Sequence, residues 1–338
     1  MSADHLLRIF IGMIPVVAFL VALIFLDSYK LVKLRSILVT LLIGVFAALI
    51  CLIINVIFMR FLALGSAPYS RYVAPIIEET AKAIYIVHLM RSKKVGFMVD
   101  AGIQGFAVGA GFAITENIYT LTALSSSNLF VWIVRGFGTA IMHGGTATLF
   151  AIISKSLSER SDSHGVKPLM AGLSVAVVFH SLYNHFLVSP VISAIILVGG
   201  LPLIMFLVYA HSERSLQKWL GVGFDTDTEL LTIITTGNIT QTHIGEYLLS
   251  LKSHFSGETV ADMLCLLRIH LELSIRAKGI LLMREAGFKI SPDPEIEKKF
   301  DELHYLRKSV GRTGYIAIMP FLRWSSRDLW QLNMLGKT

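Results

Sequence analysis

Residues 72–90 read YVAPIIEETAKAIYIVHLM, an apolar stretch that nevertheless contains Glu78, Glu79 and Lys82. About 20 mostly apolar residues are enough to cross the hydrocarbon core of a bilayer. A charged side chain at the centre of a bilayer costs at least about 3 kcal/mol on insertion scales unless it is paired or faces a polar interior. The stretch therefore predicts a transmembrane helix that turns a polar face toward other helices.

The composition of the whole chain indicates a membrane protein. Its mean hydropathy is +0.67, and only 16% of its 338 residues are charged, whereas globular domains carry about 25%. Most of the net charge of +7 belongs to residues 1–210, where 14 Lys/Arg oppose 8 Asp/Glu. No basic stripe is interleaved with aromatic residues, so we expect no nucleic-acid partner. The two cysteines, Cys51 and Cys265, indicate neither a disulfide framework nor a cysteine metal site.

Seven apolar stretches are long enough to cross the bilayer as helices. They are residues 9–26, 36–59, 72–90, 99–124, 129–153, 169–188 and 191–210. The first is long for the apolar part of a signal peptide and is followed by no small-x-small cleavage site, so we expect a retained helix.

Positive charges in the connecting loops predict the orientation, because Lys and Arg stay mainly on the cytoplasmic side. Nine follow the first, third and fifth stretches, and three stand on the alternate side. We therefore expect the N-terminus outside and the C-terminal region in the cytoplasm. The nine are Lys30, Lys33, Arg35, Arg91, Lys93, Lys94, Lys155, Arg160 and Lys167, and the three are Arg8, Arg60 and Arg71.

After the last stretch, apolar residues recur at helical spacing with charges between them. Glycine or proline interrupts this pattern at Gly221, Gly223, Gly257, Pro294 and Gly311. The sequence thus predicts an all-α protein, with a polytopic transmembrane helix bundle over residues 1–210 and a cytoplasmic helical domain over residues 211–338. It does not identify a partner for this second domain.

Glu78 and Lys82 are four residues apart and share a helix face, whereas Glu79 is turned away by about 100°. We therefore expect Glu78 to pair with Lys82. One carboxylate is then left without a local partner and can act as a general base toward water. An ion pair that only joins helices is equally compatible with these three residues.

Later stretches carry further polar residues. In the fourth, Gly105 and Gly109 form a small-xxx-small surface that allows close helix approach, and Glu116 lies on nearly the same face. In the fifth, polar residues recur at steps of three and four, and in the sixth two polar residues lie one turn apart. These are Arg135, Thr139, His143 and Thr146, and then His180 and Asn184.

The depths of these residues predict a shared site. At about 1.5 Å per residue, the two adjacent glutamates, Glu116 and His180 lie about 10–12 Å from the outer boundary of the membrane, and His143 lies nearer the midplane. We therefore expect the ionisable groups to meet in or near the outer half of the bilayer.

Four motifs occur in order on successive stretches: EETAK, then GFAVGAGFAITEN, then Arg135 with His143 eight residues later, then HSLYN. This set resembles the PrsW family of intramembrane proteases over about residues 70–190. The family is related to the type II CAAX prenyl endopeptidases and the bacterial Abi proteins. The C-terminal 110–130 residues depart from its compact members. The prenyl endopeptidases have Glu-Glu-x-x-x-Arg rather than Glu-Glu-x-x-Lys, so prenylated substrates are not expected.

The resemblance implies a hydrolase of the bacterial inner membrane, surrounded by lipid, that cleaves a single-span membrane protein such as an anti-sigma factor and so acts in signalling. By position it implies the catalytic residues Glu78, Glu79, Glu116, His143 and His180, with Lys82, Asn117, Arg135 and Asn184 in support.

Peptide hydrolysis needs an activated water and stabilisation of the oxyanion. We expect Glu78 or Glu79 to deprotonate the water, and His180 and Asn184 to donate to the oxyanion. The sequence requires no cofactor, since it has no His-Glu-x-x-His helix. Zinc stays an open alternative, because two histidines and a glutamate form a catalytic ligand set. Its ligands would be His143, His180 and Glu116.

The alternative function is a proton-coupled transporter, which also keeps Glu, Lys and His within the membrane. Transporters favour inverted repeats with broken helices in matching halves, and the sequence shows neither. A receptor without activity would lack members of the catalytic set, which is complete here. A serine rhomboid would need serine where HGGTATLF has threonine, and an aspartyl protease would need two intramembrane aspartates. We therefore favour the protease.

Overall fold

The computed structural model describes residues 3–27, 29–123, 129–160, 165–288, 290–291, 293–322 and 326–336. The structure is 88% helical, with no strand among these residues, which confirms the predicted all-α fold. Leu124, the last residue of the fourth predicted stretch, lies outside the described residues, as do the side chains of Arg8 and Arg160.

Five helical segments of the described chain are long and apolar enough to cross a membrane, and one of them, Phe130–Glu159, contains a one-residue break at Gly138. They are Leu34–Phe61, Met98–Thr120, Phe130–Glu159, Val166–Asn184 and Pro190–Thr235. Seven spans were predicted, and this count is not confirmed. The first predicted stretch contains a shorter apolar helix, Gly12–Leu26. The third begins in a π-helical turn and continues in a helix of 18 residues, Ala74–Arg91, that carries charges in its interior.

The described chain divides into two compact units, Met1–Ser212 and Glu213–Thr338. The helices that begin in the first unit are α1 Ala3–Leu26, α2 Leu34–Phe61, α3 Ser66–Pro68, α4 Ala74–Arg91, α5 Met98–Ala123, α6 Leu129–Phe137, α7 Thr139–Arg160, α8 Val166–Asn184 and α9 Pro190–Thr235. A π-helical turn, Tyr69–Val73, leads from α3 into α4.

Helix α5 is the centre of the first unit, and glycines let its neighbours approach. A Cβ at Gly109 would lie 2.7 Å from the Cα of Gly144 on α7, and a Cβ at Gly105 would lie 2.9 Å from the Cα of Thr148. Real Cβ atoms essentially never come this close. The close approach that the glycine spacing predicts is therefore present, and it brings α7 against the face of α5 that carries Glu116.

The fifth predicted stretch is broken. Helix α6 ends at Phe137 and α7 begins at Thr139, with a turn at Gly138. A Cβ at Gly138 would clash with the Tyr183 hydroxyl, so the break occurs where α8 crowds the backbone. The polar residues expected along one helix therefore lie on two.

The second unit contains the end of α9 and four further helices, α10 His243–Ser250, α11 Gly257–Glu285, α12 Pro294–Ile318 and α13 Ser326–Leu335. Breaks were correctly predicted before α11, which Ser256 caps, and before α12, which Asp293 caps. Gly311 has a φ of 69° and kinks α12. The predicted breaks at Gly221 and Gly223 are wrong, because α9 continues through both; isolated glycines are tolerated inside helices.

The second unit is built around α11, which buries Met263, Leu267, Leu273 and Leu281. A buried ion pair joins Lys278 of this helix to a carboxylate of α9.

Candidate active site

Glu79 is a buried carboxylate of the first unit that contacts three polar side chains. It is 2% exposed, and its Oε1 lies 2.6 Å from Lys82 Nζ, 3.0 Å from Thr146 Oγ1 and 2.6 Å from His180 Nδ1. The predicted pair of Glu78 with Lys82 is therefore wrong. Residues three apart share a helix face as well as residues four apart, and here the i, i+3 pair turns into the bundle.

His180 has a defined proton position. A carboxylate only accepts hydrogen bonds, so the Nδ1 that faces Glu79 carries the proton. In the neutral ring the other nitrogen, Nε2, then has a free lone pair. It lies 3.8 Å from Oε2 of Glu78.

His143 lies between a cation and an anion. Its Nδ1 is 3.2 Å from Lys82 Nζ, and its Nε2 is 2.5 Å from Glu116 Oε2. An ammonium only donates and a carboxylate only accepts, so Nδ1 accepts and Nε2 carries the proton. The His143 and His180 rings meet edge to face, with centroids 4.9 Å apart. One network thus joins the Glu79 and Glu116 sides of the site.

Arg135 completes the Glu116 side. Its Nη2 donates to Glu116 Oε1 at 3.0 Å, and its Nε donates to Asn117 Oδ1 at 3.3 Å. Phe112 covers the cations and rings from one side, with its centroid 5.1 Å from Lys82 Nζ and 5.1 Å from the His143 ring.

Glu78 is the carboxylate that the lysine leaves free. Its side chain is 12% exposed, and its Oε1 accepts from Asn55 Nδ2 at 2.9 Å. Three residues of the cluster could together hold a metal ion: Glu78, His143 and His180. Each offers one ligand atom, and the three atoms lie within 4.8 Å of one another. The predicted ligand set had Glu116 in place of Glu78; Glu116 instead contacts a ring nitrogen of His143.

The donor set fits a divalent metal such as zinc, for which two histidines and a glutamate are catalytic ligands. Histidines that bind metals almost always donate their other ring N–H to a carboxylate or a carbonyl. His180 forms such a hydrogen bond with Glu79, and Nε2 of His143 lies 2.5 Å from the Glu116 carboxylate in an ion-pair contact. Because Nε2 of His143 faces Glu116, the ring nitrogen left to bind a metal is Nδ1. In this structure Nδ1 accepts a hydrogen bond from Lys82.

Asn184 is the predicted site residue that the structure does not bring to this cluster. Its amide donates to the carbonyl oxygen of Ser70 at 2.8 Å, and Ser181 donates to the carbonyl oxygen of Arg71 at 2.6 Å. These two side chains fasten the π-helical turn to the end of α8. The predicted donation from Asn184 to the oxyanion has no support in this arrangement.

The sequence analysis missed Asn55 and Tyr69, whose hydroxyl donates to Asn55 Oδ1 at 3.0 Å. Asn55 had a usable signal, since it is an amide within an apolar stretch. Tyr69 had none, because it precedes the third stretch in a segment without clear periodicity.

Buried acids and histidines among helices able to cross a membrane define an integral membrane protein with a cluster of titratable groups inside its helix bundle. The family model described as PrsW family intramembrane metalloprotease matches residues 33–211, more than half of the chain. The chain therefore belongs to the PrsW family and is a membrane peptidase, as the motifs predicted, rather than a transporter. No curated protein and no solved structure matches it.

Proposed function

We propose that this protein cleaves a peptide bond of a membrane-anchored substrate at the cluster formed by Glu78, His143 and His180. The observation that carries the proposal is the pairing of each histidine with its own carboxylate. Glu79 contacts a ring nitrogen of His180, and Glu116 contacts a ring nitrogen of His143. A ligand atom of each ring also lies within 4.8 Å of a Glu78 carboxylate oxygen. Groups that can take, hold and return a proton are thus gathered in one place, as peptide hydrolysis requires.

We assign the general base to Glu78, because it is partly accessible and not paired with the lysine. Its carboxylate takes a proton from water, whose oxygen attacks the carbonyl carbon of the scissile bond. The same proton then passes to the amide nitrogen as the C–N bond breaks, giving a carboxylic acid and an amine. Glu79 keeps His180 in one tautomer, and the charge of Lys82 favours the developing oxyanion electrostatically.

Glu78, His143 and His180 would also be the residues that hold a metal. A bound zinc ion would polarise the carbonyl and lower the pKa of water. Glu79 and Glu116 would then orient the two histidines through their other ring nitrogens.

The substrates that we propose are single-span proteins, such as an anti-sigma factor, whose cleavage starts a signalling response. The cluster lies among helices able to cross a bilayer, so a membrane-embedded segment can reach it sideways. We propose a bacterial inner membrane protein with its N-terminus outside, residues 213–338 in the cytoplasm and cleavage in the outer half of the bilayer. The loop charges support this orientation. A topology reporter fused after Leu335 should be active only as a cytoplasmic fusion, and activity as an external fusion would refute this orientation.

The test of the function uses the purified full-length protein in liposomes with a panel of single-span substrates. We expect cleavage by the wild type and none by Glu78→Gln. The matched control is Glu159→Gln, which makes the same change near the end of α7 at a carboxylate 3.3 Å from Lys155. It should cleave normally. Loss of activity with a chelator and its return with zinc would establish the metal, and full cleavage by Glu78→Gln would refute the assignment of the base.

A further inference from the structure

A chain of two hydrogen bonds reaches Glu78 from outside the helices that carry the four motifs. Asn55, on α2, donates from Nδ2 to Glu78 Oε1 at 2.9 Å. Its Oδ1 accepts from the hydroxyl of Tyr69 at 3.0 Å. Tyr69 is the first residue of the π-helical turn and is 4% exposed. The chain therefore runs from the turn before α4, through α2, to the carboxylate on α4.

The orientation of the Asn55 amide follows from the Glu78 carboxylate. A side-chain amide can present either its oxygen or its NH₂ group. Because a carboxylate only accepts hydrogen bonds, the NH₂ group faces Glu78, and the amide oxygen then accepts from the Tyr69 hydroxyl. The reverse orientation would place two acceptors, the amide oxygen and the carboxylate, against each other. Tyr69 thus acts on Glu78 only through Asn55.

The hydrogen bond also fixes how the carboxylate is turned. Among the described residues, Asn55 is the side chain that donates a hydrogen bond to Glu78, and it uses Oε1. The other oxygen, Oε2, is the one that lies 3.8 Å from His180 Nε2. Without Asn55 the carboxylate would be free to rotate away from the histidine.

We infer that Asn55 and Tyr69 are positioning residues that hold the Glu78 carboxylate toward His180. The inference rests on the proposed role of Glu78, either as base or as metal ligand. Partners of this kind are worth about 10- to 100-fold in metal affinity or activity. They lie on α2 and in the π-helical turn, so the site is larger than the four motifs.

A matched control is available on the same helix. Thr40 of α2 is buried and donates to Gln104 of α5, which in turn donates to Ser36 at 2.9 Å. Thr40 is 15 residues from Asn55, about 22 Å along the helix. Thr40→Val therefore removes an interhelical hydrogen bond from α2 without touching the cluster.

The experiment compares four variants of the full-length protein in liposomes: Asn55→Leu, Tyr69→Phe, the two combined, and Thr40→Val. For each we would measure kcat and KM on a single-span substrate, zinc affinity by competition with a chromophoric chelator, and the melting temperature. Asn55→Leu should lower kcat and zinc affinity by about 10- to 100-fold, with KM within about twofold of wild type. Tyr69→Phe should lower kcat by about threefold to tenfold and have no further effect in the Asn55→Leu background, as expected of coupled residues.

Thr40→Val should lower the melting temperature about as much as Asn55→Leu while leaving kcat unchanged. Wild-type kcat and zinc affinity in Asn55→Leu, multiplicative losses in the combined variant, or an equal loss of kcat in Thr40→Val would each overturn the inference. Full activity in Glu78→Gln would refute the proposed base, while the zinc affinity would still report on Asn55. A wild type that neither cleaves nor binds zinc would refute both.

Discussion

Each of the two units contains a lysine buried against a carboxylate, but the surroundings of the two pairs differ. In the second unit, Asp227 accepts from Lys278 and from Ser274, the latter at 2.5 Å. Gln331 donates to Ser274 at 2.8 Å, and the ring of Trp219 lies 5.2 Å from the ammonium. The hydrogen bonds of this pair hold α9, α11 and α13 together, and a histidine, His270, is near its charges.

In the first unit, the pair of Glu79 and Lys82 continues into two histidines and then to two further carboxylates. A buried ion pair is by itself weak evidence even for stability. Convergence of several groups that can exchange protons is what marks a site. The comparison shows that the first pair belongs to a network of titratable groups, which we propose as the catalytic site, whereas the second joins helices within the core of its unit.

The largest difference should appear when a glutamate of each unit becomes glutamine. Glu78→Gln should lower kcat by about 100- to 10,000-fold, the usual contribution of a general base. Glu272→Gln makes the same change in the second unit at a carboxylate paired with Lys299. It should leave kcat unchanged and cost at most about 1 kcal/mol of stability. Cleavage assays and thermal unfolding of both variants test this prediction. Comparable cleavage rates in the two variants would contradict a special role for Glu78.

Removing each buried lysine comes next. Lys82→Met and Lys278→Met both leave a buried carboxylate without its cation, which should cost about 3–5 kcal/mol each. Only Lys82→Met should also abolish cleavage per folded molecule. Folded yield and specific activity, measured side by side, separate the two effects.

A double variant strengthens that test. Asp227→Leu combined with Lys278→Met should recover most of the stability lost by Lys278→Met, because apolar replacement of a whole buried pair is often neutral. A lower specific activity in the folded Lys278→Met protein would show that the second pair is more than a part of the core.

Replacing a glycine of each unit with alanine should change the stability of the protein in opposite directions. Gly109→Ala would force α5 away from α7 beside His143 and should cost about 1–3 kcal/mol, as overpacking does, with a fall in kcat. Gly279, on α11, has open space where a Cβ would lie. Gly279→Ala should therefore stabilise by about 0.5–1 kcal/mol without changing kcat. Thermal unfolding and cleavage rates measure both, and a harmless Gly109→Ala would contradict the close approach.

The smallest effect concerns the histidine beside the second pair. Burial lowers the pKa of His270 to about 4, and the nearby charges of Asp227 and Lys278 act in opposite directions. The unfolded chain, with a histidine pKa near 6.5, binds more protons than the folded chain between pH 4 and 6.5. Stability should therefore be complete above pH 6.5 and fall by about 1 kcal/mol at pH 5.5. Thermal unfolding of wild type and His270→Leu at pH 7.5 and 5.5 should show a smaller pH dependence in the variant; an equal dependence would contradict this assignment.

Much of the site was predictable because charged groups within apolar stretches are costly and therefore conspicuous. Glu79, Glu116, His143 and His180 were found in this way, and the structure brings them together. The glycine spacing correctly predicted which face of α5 allows close helix approach, although not that α7 would be its neighbour. The all-α fold followed from composition and periodicity alone.

The errors have physical reasons. Helical spacing allows both i, i+3 and i, i+4 pairs, so it could not decide between Glu78 and Glu79 as the partner of Lys82. The contact of Asn184 with Ser70 depends on a π-helical turn that has no sequence signature here. Asn55 was missed because one amide in an apolar stretch can serve many purposes, and only its neighbours in space reveal which.

The most direct test of the central claim, that Glu78 and His180 act as one site, is a double-variant comparison of cleavage rates. Full-length Glu78→Gln, His180→Ala and the combined variant would be assayed on one single-span substrate in liposomes, with folding checked by thermal unfolding. Residues that work as a unit show strongly non-additive losses. Each single change should lower kcat by at least about 100-fold, and the combined variant should be no slower than the slower single variant. Losses that multiply, or a single variant with wild-type kcat, would contradict a shared site.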